Sequence, residues 1–223
     1  MPTQLSPNQV DTRKRLLNAA LKSFGSKDYE GVSTREIVEM AEANISAISY
    51  HFENKRGLYN ATVSYLSETL HAGIAEQLES INQNLEHYSA EDCADQTCQL
   101  LLNFFEHTLL GEIGKHAPGI IFREQSQPSE AYQILFDNFL QPMNHTLAKL
   151  VAKYLGSQPR EAEVLFLVHA LIGQTVMFHI GKTTLLRLLK KKNYSRAIIE
   201  AIKNHLTSNY RVLLESRAIY NNL

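Results

Sequence analysis

Glycine and proline are scarce in this chain, 10 and 6 among 223 residues. A β protein rich in tight turns needs more of both, and long apolar periods dominate instead. The expected fold class is therefore all-α. Cysteine is scarcer still. Cys93 and Cys98 stand five apart on one predicted helix and point to different faces, a spacing that fits neither a disulfide nor a CxxC motif. The opening stretch, MPTQLSPNQV, has no apolar h-region, so no signal peptide is expected. The most apolar run, Val164 to Ile180, is interrupted by His169, Gln174 and His179. A membrane span takes about 20 mostly apolar residues. The run is expected to be a buried helix in a soluble, cytoplasmic protein with no membrane partner.

Signatures of chemistry are missing as well. The nine histidines form no HxxxH or HExxH pair, so neither a metal site nor a cofactor is expected. No Ser/His/Asp or Cys/His arrangement can be assembled, so no catalytic residues are assigned and the chain is not read as an enzyme. Gly181-Lys182-Thr183 resembles the end of a phosphate loop. Val176, however, occupies the position where that loop needs glycine, and a helix precedes it in place of a strand.

Charge is nearly balanced overall, at −1, but unevenly spread. Lys and Arg against Asp and Glu number 8 to 7 in residues 1–60, 5 to 14 in 61–181 and 9 to 2 in 182–223. A basic footprint is common in nucleic-acid proteins, and the first sixty residues lack a net one. Their cations are nevertheless clustered, at Arg13, Lys14, Arg15, Arg35, Lys55 and Arg56.

What is present is centred on Ser33 to Arg56, STREIVEMAEANISAISYHFENKR. Ser33 or Thr34 can cap a first short helix, with Glu36 near its start. Ile37, Met40 and Ala41 are expected to face inward. Glu42 and Ala43 make a break. Asn44 is a good cap for a second helix, in which Ile45, Ile48 and Phe52 give one buried face. Ser46, Ala47, Ser49, Tyr50 and His51 are left outward. Small and polar side chains plus one amphipathic ring suit a helix pressed into a groove. Asn54 caps a further helix that begins with Lys55 and Arg56. Two cations at a helix start oppose its dipole, and a nearby anion would account for them.

This stretch resembles the helix-turn-helix of TetR-family transcription regulators. The residues carrying the resemblance are Ser49-Tyr50-His51-Phe52 followed by Glu53-Asn54-Lys55, and with its flanks it covers about residues 10 to 65. One departure is Glu42, where the family commonly has a glycine able to take a left-handed backbone. The resemblance implies DNA contacts from Thr34, Arg35, Asn44, Ser46, Ala47, Ser49, Tyr50, His51 and Lys55. Tyr50, Lys55 and Thr34 suit phosphates, and Arg35 suits phosphate or guanine. Ser46 and Ser49 suit base edges, and Ala47 a thymine methyl. Residues 45–51 contain no Arg, Lys, Asn or Gln, so bidentate readout is limited and DNA shape is expected to share the work.

Around this core, Ser6-Pro7 is expected to open a first helix ending at Gly25, lined by Val10, Leu17, Ala20, Leu21 and Phe24. A long helix is expected from Lys55 to about Ile81. A polar loop over Asn82 to Ala90 and a helix from Glu91 follow. A break comes at Gly111–Gly119, then a short helix over Ile120–Gln125. Ser129 to Leu155 reads as a long helix that Pro142 kinks or divides. A helix from Pro159 to Gly181, a basic stretch through Lys192 and a last helix capped by Ser195 complete the chain. Phe122-Arg123-Glu124, Pro128, the Pro142 helix and HALIGQTVMF resemble the ligand-binding domain of CecR-like members of the TetR family, which are associated with drug sensitivity and export.

The expected organisation is a helix-turn-helix DNA-binding domain over residues 1–60 and a helical ligand-binding and dimerisation domain over 61–223. Phe104, His107, Thr108, Phe122, Phe136 and Phe178 are candidates to line a cavity for an unidentified small-molecule inducer. The function implied is a homodimeric repressor on palindromic double-stranded operator DNA. The alternative is a helical ligand-binding or protein-interaction module with a degenerate helix-turn-helix, favoured by the weak charge of the first sixty residues.

Overall fold

The structure, a computed structural model, describes residues 7–111 and 113–221, with the side chains of 11–109, 111 and 113–218. Twelve α-helices run along the described residues, with no strand among them: α1 Pro7–Ser26, α2 Thr34–Met40, α3 Ser46–Phe52, α4 Lys55–Ala72, α5 Ala75–Asn84, α6 Ala90–Leu110, α7 Ala117–Ser126, α8 Glu130–Leu135, α9 Gln141–Leu155, α10 Ala162–Ile180, α11 Lys182–Leu188 and α12 Arg196–Asn221. Short 3-10 turns occupy Leu85–His87 and Ile113–Lys115. The expected all-α class is what the chain adopts. Ser6 as cap and the inward placement of Val10 lie outside the described residues.

Two compact units form. The first joins Met1–His71 to Leu110–Phe139, and the second joins Ala72–Leu109 to Leu140–Leu223. The segment from Leu110 to Phe139 packs with the N-terminal helices through α7, which lies against α1.

In the first unit, α1 turns Leu16, Leu17, Ala20, Leu21 and Phe24 inward, all nearly inaccessible. Phe24 meets Tyr59 edge-on at 4.9 Å, and Tyr29 meets Tyr59 at 5.3 Å. The start of α7 then crosses the end of α1 with backbones touching. A Cβ at Gly119 would stand 2.2 Å from the Gly25 carbonyl oxygen, and one at Gly25 would stand 2.6 Å from the His116 carbonyl oxygen. Only hydrogen fits at either position. This close approach lets the Arg123 guanidinium donate to the carbonyls of Phe24 (3.0 Å) and Lys27 (2.6 Å), which α1 leaves without helical partners. The next residue, Glu124, is 1% exposed. It accepts from the Tyr59 hydroxyl at 2.6 Å and from the Ser129 backbone N–H and hydroxyl at 3.0 Å. Burial, and then Glu124, push the Tyr59 phenol far above its usual range, so it remains a donor.

The second unit buries Leu100, Leu101 and Phe105 of α6 and Leu147, Leu150 and Val151 of α9. Val164, Leu167, Val168 and Leu171 of α10 join them, with Leu206, Tyr210 and Leu214 of α12. The buried Tyr210 and Thr175 hydroxyls lie 2.6 Å apart. Nearer the surface, Lys203 meets Glu106 at 2.6 Å and Arg211 binds Glu91 and Asp95.

Several expected elements differ. The helix expected from Lys55 to Ile81 is two helices, because Gly73 interrupts it and Ile74 turns into the core at 2% exposure. Pro118, expected to break the chain, sits in the first turn of α7, where its missing N–H costs nothing. The Pro142 helix is divided by a π-helical turn at Phe136–Leu140. Pro142 cannot donate to the carbonyl four residues back and its ring crowds it, so the turn before it widens. Part of the basic stretch folds as α11, and α10 begins at Ala162, not Pro159. The buried helix expected over Val164–Ile180 is buried on one side only: 28% of its most apolar window is covered, although length and composition would let it cross a membrane.

Replacing Gly119 by Ala forces a methyl into the Gly25 carbonyl. We expect a loss of about 1–3 kcal/mol, seen as a lower urea midpoint at unchanged slope. An unaltered midpoint would contradict the backbone crossing.

Candidate nucleic-acid interface

The reading helix α3 is positioned by two turns that no helix propensity explains. The first closes α2. The Ala43 N–H donates to the Val38 carbonyl at 2.9 Å and the Glu42 N–H to that of Glu39 at 3.1 Å. This paired closure requires a left-handed residue, and Glu42 supplies it at φ 49. The glutamate therefore takes the turn itself, without shifting it. The second turn joins α3 to α4. Glu53 sits at φ 67, and the Asn54 N–H reaches the Phe52 carbonyl two residues back at 2.7 Å. The chain is so tight there that a Cβ at Gly57 would lie 2.0 Å from the Phe52 carbonyl oxygen.

Side-chain caps hold the helix starts. The Ser33 hydroxyl accepts from the Arg35 N–H at 3.2 Å. Asn44 Oδ1 accepts from both the N–H and the hydroxyl of Ser46 at 3.1 Å, and Asn54 Oδ1 accepts from the Gly57 N–H at 3.0 Å. Ile48 and Phe52 are buried at 4% and 5%, as the spacing predicts. Ile45 and Met40 are not: they stand 50% and 47% exposed. Both helices are only seven residues long. One turn at the end of so short a helix overhangs its support, and the inward assignment of these two residues is corrected accordingly.

The nine residues expected to meet DNA all belong to the first unit. Arg35, Asn44, Ser46, Ser49 and Tyr50 are exposed, while Thr34, Ala47, His51 and Lys55 are half-buried. The Tyr50 and His51 rings meet edge-on at 4.8 Å. Burial, then the Arg13 charge, lower the His51 pKa below its ordinary value. The ring is thus neutral at neutral pH. Its neutral form favours the fold above the unfolded pKa, and that contribution is lost as pH falls through the folded one.

Three cations around α3 rest on aromatic rings. Lys55 Nζ lies 4.5 Å and the Arg56 guanidinium 4.7 Å from the Tyr29 ring centre, and Arg13 lies 5.4 Å from that of Phe52. Nothing in the sequence marks Tyr29 and Phe52 as the rings that carry these cations.

The six candidate ligand residues do not share one unit. Phe104, His107, Thr108 and Phe178 lie in the second, and Phe122 and Phe136 in the first. Phe122 is 58% exposed and Phe136 stacks on Tyr132 at 6.0 Å. The His107 ring lies where a Cβ on Gly73 would be. A tighter cluster forms around Thr108, whose hydroxyl is 2.8 Å from Nε2 of His179. Phe105 meets His179 at 5.3 Å and Phe178 at 6.4 Å. Burial lowers the His179 pKa against the pull of the Thr175 and Phe105 backbone. His179 and Phe105 were not among the expected residues; the helical spacing of Phe105 and Thr108 places the two on neighbouring faces of α6. Among the described residues no group of three His, Cys, Asp or Glu is placed to hold a metal ion.

A left-handed glutamate is strained by about 1–2 kcal/mol. Glu42→Gly is expected to raise the unfolding free energy by about 1 kcal/mol in denaturant titration, with α3 undisturbed. A destabilised variant would mean that Glu42 makes a contact of its own.

Residues 16–62 match the family model for bacterial regulatory proteins of the tetR family. Residues 98–217, more than half of the chain, match that for the C-terminal domain of the HTH-type transcriptional dual regulator CecR. The CecR protein of Shigella flexneri is 27% identical over 209 residues, covering 91% of each chain. A negative transcriptional regulator of the icaADBC biofilm operon, IcaR of Staphylococcus aureus, is 22% identical over 64% of this chain and 68% of its own. The crystal structure of HlyIIR, a hemolysin II transcriptional regulator, superposes with a TM-score of 0.58 at 19% identity, covering 89% of this chain and 98% of that one. The chain belongs to the TetR family of bacterial transcription regulators, with a DNA-binding helix-turn-helix and a C-terminal domain of the CecR kind.

Proposed function

We propose that the chain is a homodimeric repressor that leaves a palindromic operator when a small, largely apolar inducer binds. The observation that carries the reading is α3 itself: an exposed polar face bounded by cations that are held on rings, with no carboxylate partner among the described residues. In this reading residues 1–60 read DNA and residues 61–223 bind ligand and dimerise. Two-fold protein symmetry then imposes two-fold operator symmetry, one half-site per subunit. Repression is supported by the likeness to IcaR, named a negative regulator, and control of drug sensitivity or export by the CecR resemblance. The cytoplasm is where such a protein meets its operator.

Dimerisation is supported by α10. Leu165, Phe166, Met177 and Ile180 are 46–66% exposed, and Val212 of α12 is 62% exposed. With Ala170 and Gly173, most of them form one outward stripe at helical spacing. An exposed apolar stripe of this kind suits an interface, and it fits a partner helix better than lipid because His169 and Gln174 share the helix. Leu171, by contrast, is fully buried within the subunit and belongs to its core. For the inducer, Thr108, Phe178 and His179 supply polar and aromatic groups in one place. Occupancy shifts DNA binding only through different affinities for the two states, and operator and inducer must weaken each other equally.

Lys55→Ala and Tyr50→Ala are expected to weaken binding to every duplex. Lys55→Ala should also reduce the salt slope by about one. Titration of the upstream region of its own gene at several salt concentrations tests this, and unchanged affinity in both variants would refute the contact assignment.

Phe166→Glu with Val212→Lys is expected to give monomers in sedimentation, since both side chains point away from the subunit core. A wild-type monomer at micromolar concentration, or an undisturbed double variant, would remove the interface.

A further inference from the structure

We infer that Ile45 is a base-reading residue that packs on the 5-methyl group of a thymine, so that operator recognition depends on thymine methyls. The inference rests on the DNA-reading role proposed above and adds its chemistry. Ile45 has a helical backbone, φ −57 and ψ −34, directly before Ser46. It therefore occupies the leading end of α3, and the leading residues of a recognition helix are those that meet base edges. It is not part of the core: Ile48 and Phe52, three and seven residues on, are buried, while Ile45 is half exposed. Among the described residues, the large apolar side chains exposed on the first unit are Met40, Ile45 and Tyr50, crowded into residues 40–50, and Phe122. Exposed apolar surface concentrated on a reading element has a use.

The chemistry of the groove narrows that use. The major groove presents hydrogen-bond donors and acceptors and one apolar group, the thymine methyl. An isoleucine set against any other base edge would desolvate polar atoms without pairing them. The neighbouring residues do not supply a competing bidentate reader. Residues 45–51 contain no Arg, Lys, Asn or Gln, and the Asn44 side-chain oxygen is taken by the Ser46 N–H and hydroxyl. The ring-held cations at Arg13, Lys55 and Arg56 supply the charge that brings a polyanion to this face.

The full-length protein is used to select duplexes from a random library. Each thymine of the selected site is then replaced by deoxyuridine, which lacks only the methyl. For the wild type, a single replacement should weaken binding about fourfold, and one in each half-site about sixteenfold. Ile45→Ala should bind the parent site about that much more weakly and lose the dependence on that methyl, with an unchanged salt slope. Ile45→Val should retain most of it. Ile45 is half exposed, so folding is not at stake. Wild-type indifference to deoxyuridine at every position would overturn the inference, as would a methyl effect that persists in Ile45→Ala. Enrichment of no sequence at all would instead overturn the DNA-reading role on which it rests.

Discussion

Two adjacent side chains of α7 hold the reading head together from opposite sides. Arg123 reaches back to the carbonyls that end α1, and Glu124 reaches forward to Tyr59 of α4 and to Ser129, the cap of α8. A carboxylate at 1% exposure is costly unless its lone pairs are filled. Here they are filled by donors from two other elements, so the group is tolerable only while all three elements stay in register. The same register depends on the glycine crossing of α1 and α7, since Arg123 cannot reach the α1 carbonyls from a wider separation. The consequence is that residues 110–139, far from the helix-turn-helix in sequence, belong to the same compact body. Any signal that displaces α7 acts on α1 and α4 directly.

The electrostatic design of the head follows another rule. Sixty residues with eight cations and seven acids carry almost no net charge, yet the cations near α3 are not spent on the acids. Lys27 is paired with Glu36 at 2.8 Å. Lys55, Arg56 and Arg13 lie on rings. A ring fixes the direction of a long side chain without cancelling its charge, so less rotamer entropy is lost when a phosphate arrives. Net charge is thus a poor guide to this surface, and the alternative of a degenerate helix-turn-helix, which rested on that balance, loses its support.

Local signals in the sequence carried much of the architecture. Asn44 and Asn54 announce their helices because a cap needs only neighbours, and Ile48 and Phe52 announce a buried face because two turns of periodicity suffice. Glu42 was legible as a left-handed site through the family pattern. What was not legible depends on partners distant in the chain. Nothing in FRE says that Arg123 and Glu124 pair with residues 65 to 99 positions away. Met40 and Ile45 satisfied the periodicity but lacked a neighbour to cover them. Gly73 and the π-turn before Pro142 interrupt patterns that continue across them, so periodicity alone runs two helices into one. The candidate ligand residues share a residue type rather than a place, and the fold divides them between two units.

The apolar helix α10 shows why the second half of the chain resisted a unique reading. Its sequence is apolar nearly all round, which predicts burial on every side. The fold instead gives it two faces with different duties. Val164, Leu167, Val168, Leu171 and Thr175 turn inward, and Thr175 is fixed there by the Tyr210 hydroxyl. A polar pair within an apolar packing surface selects one rotation of the helix, because any other would take Thr175 from the buried Tyr210 hydroxyl. That selection leaves Phe166, Ala170, Gly173, Met177 and Ile180 outward in every copy of the chain. Hydrophobicity brings the helix to the core, and hydrogen bonding decides which half of it remains for a partner. The proposed subunit interface is therefore set by a buried polar contact that takes no part in it.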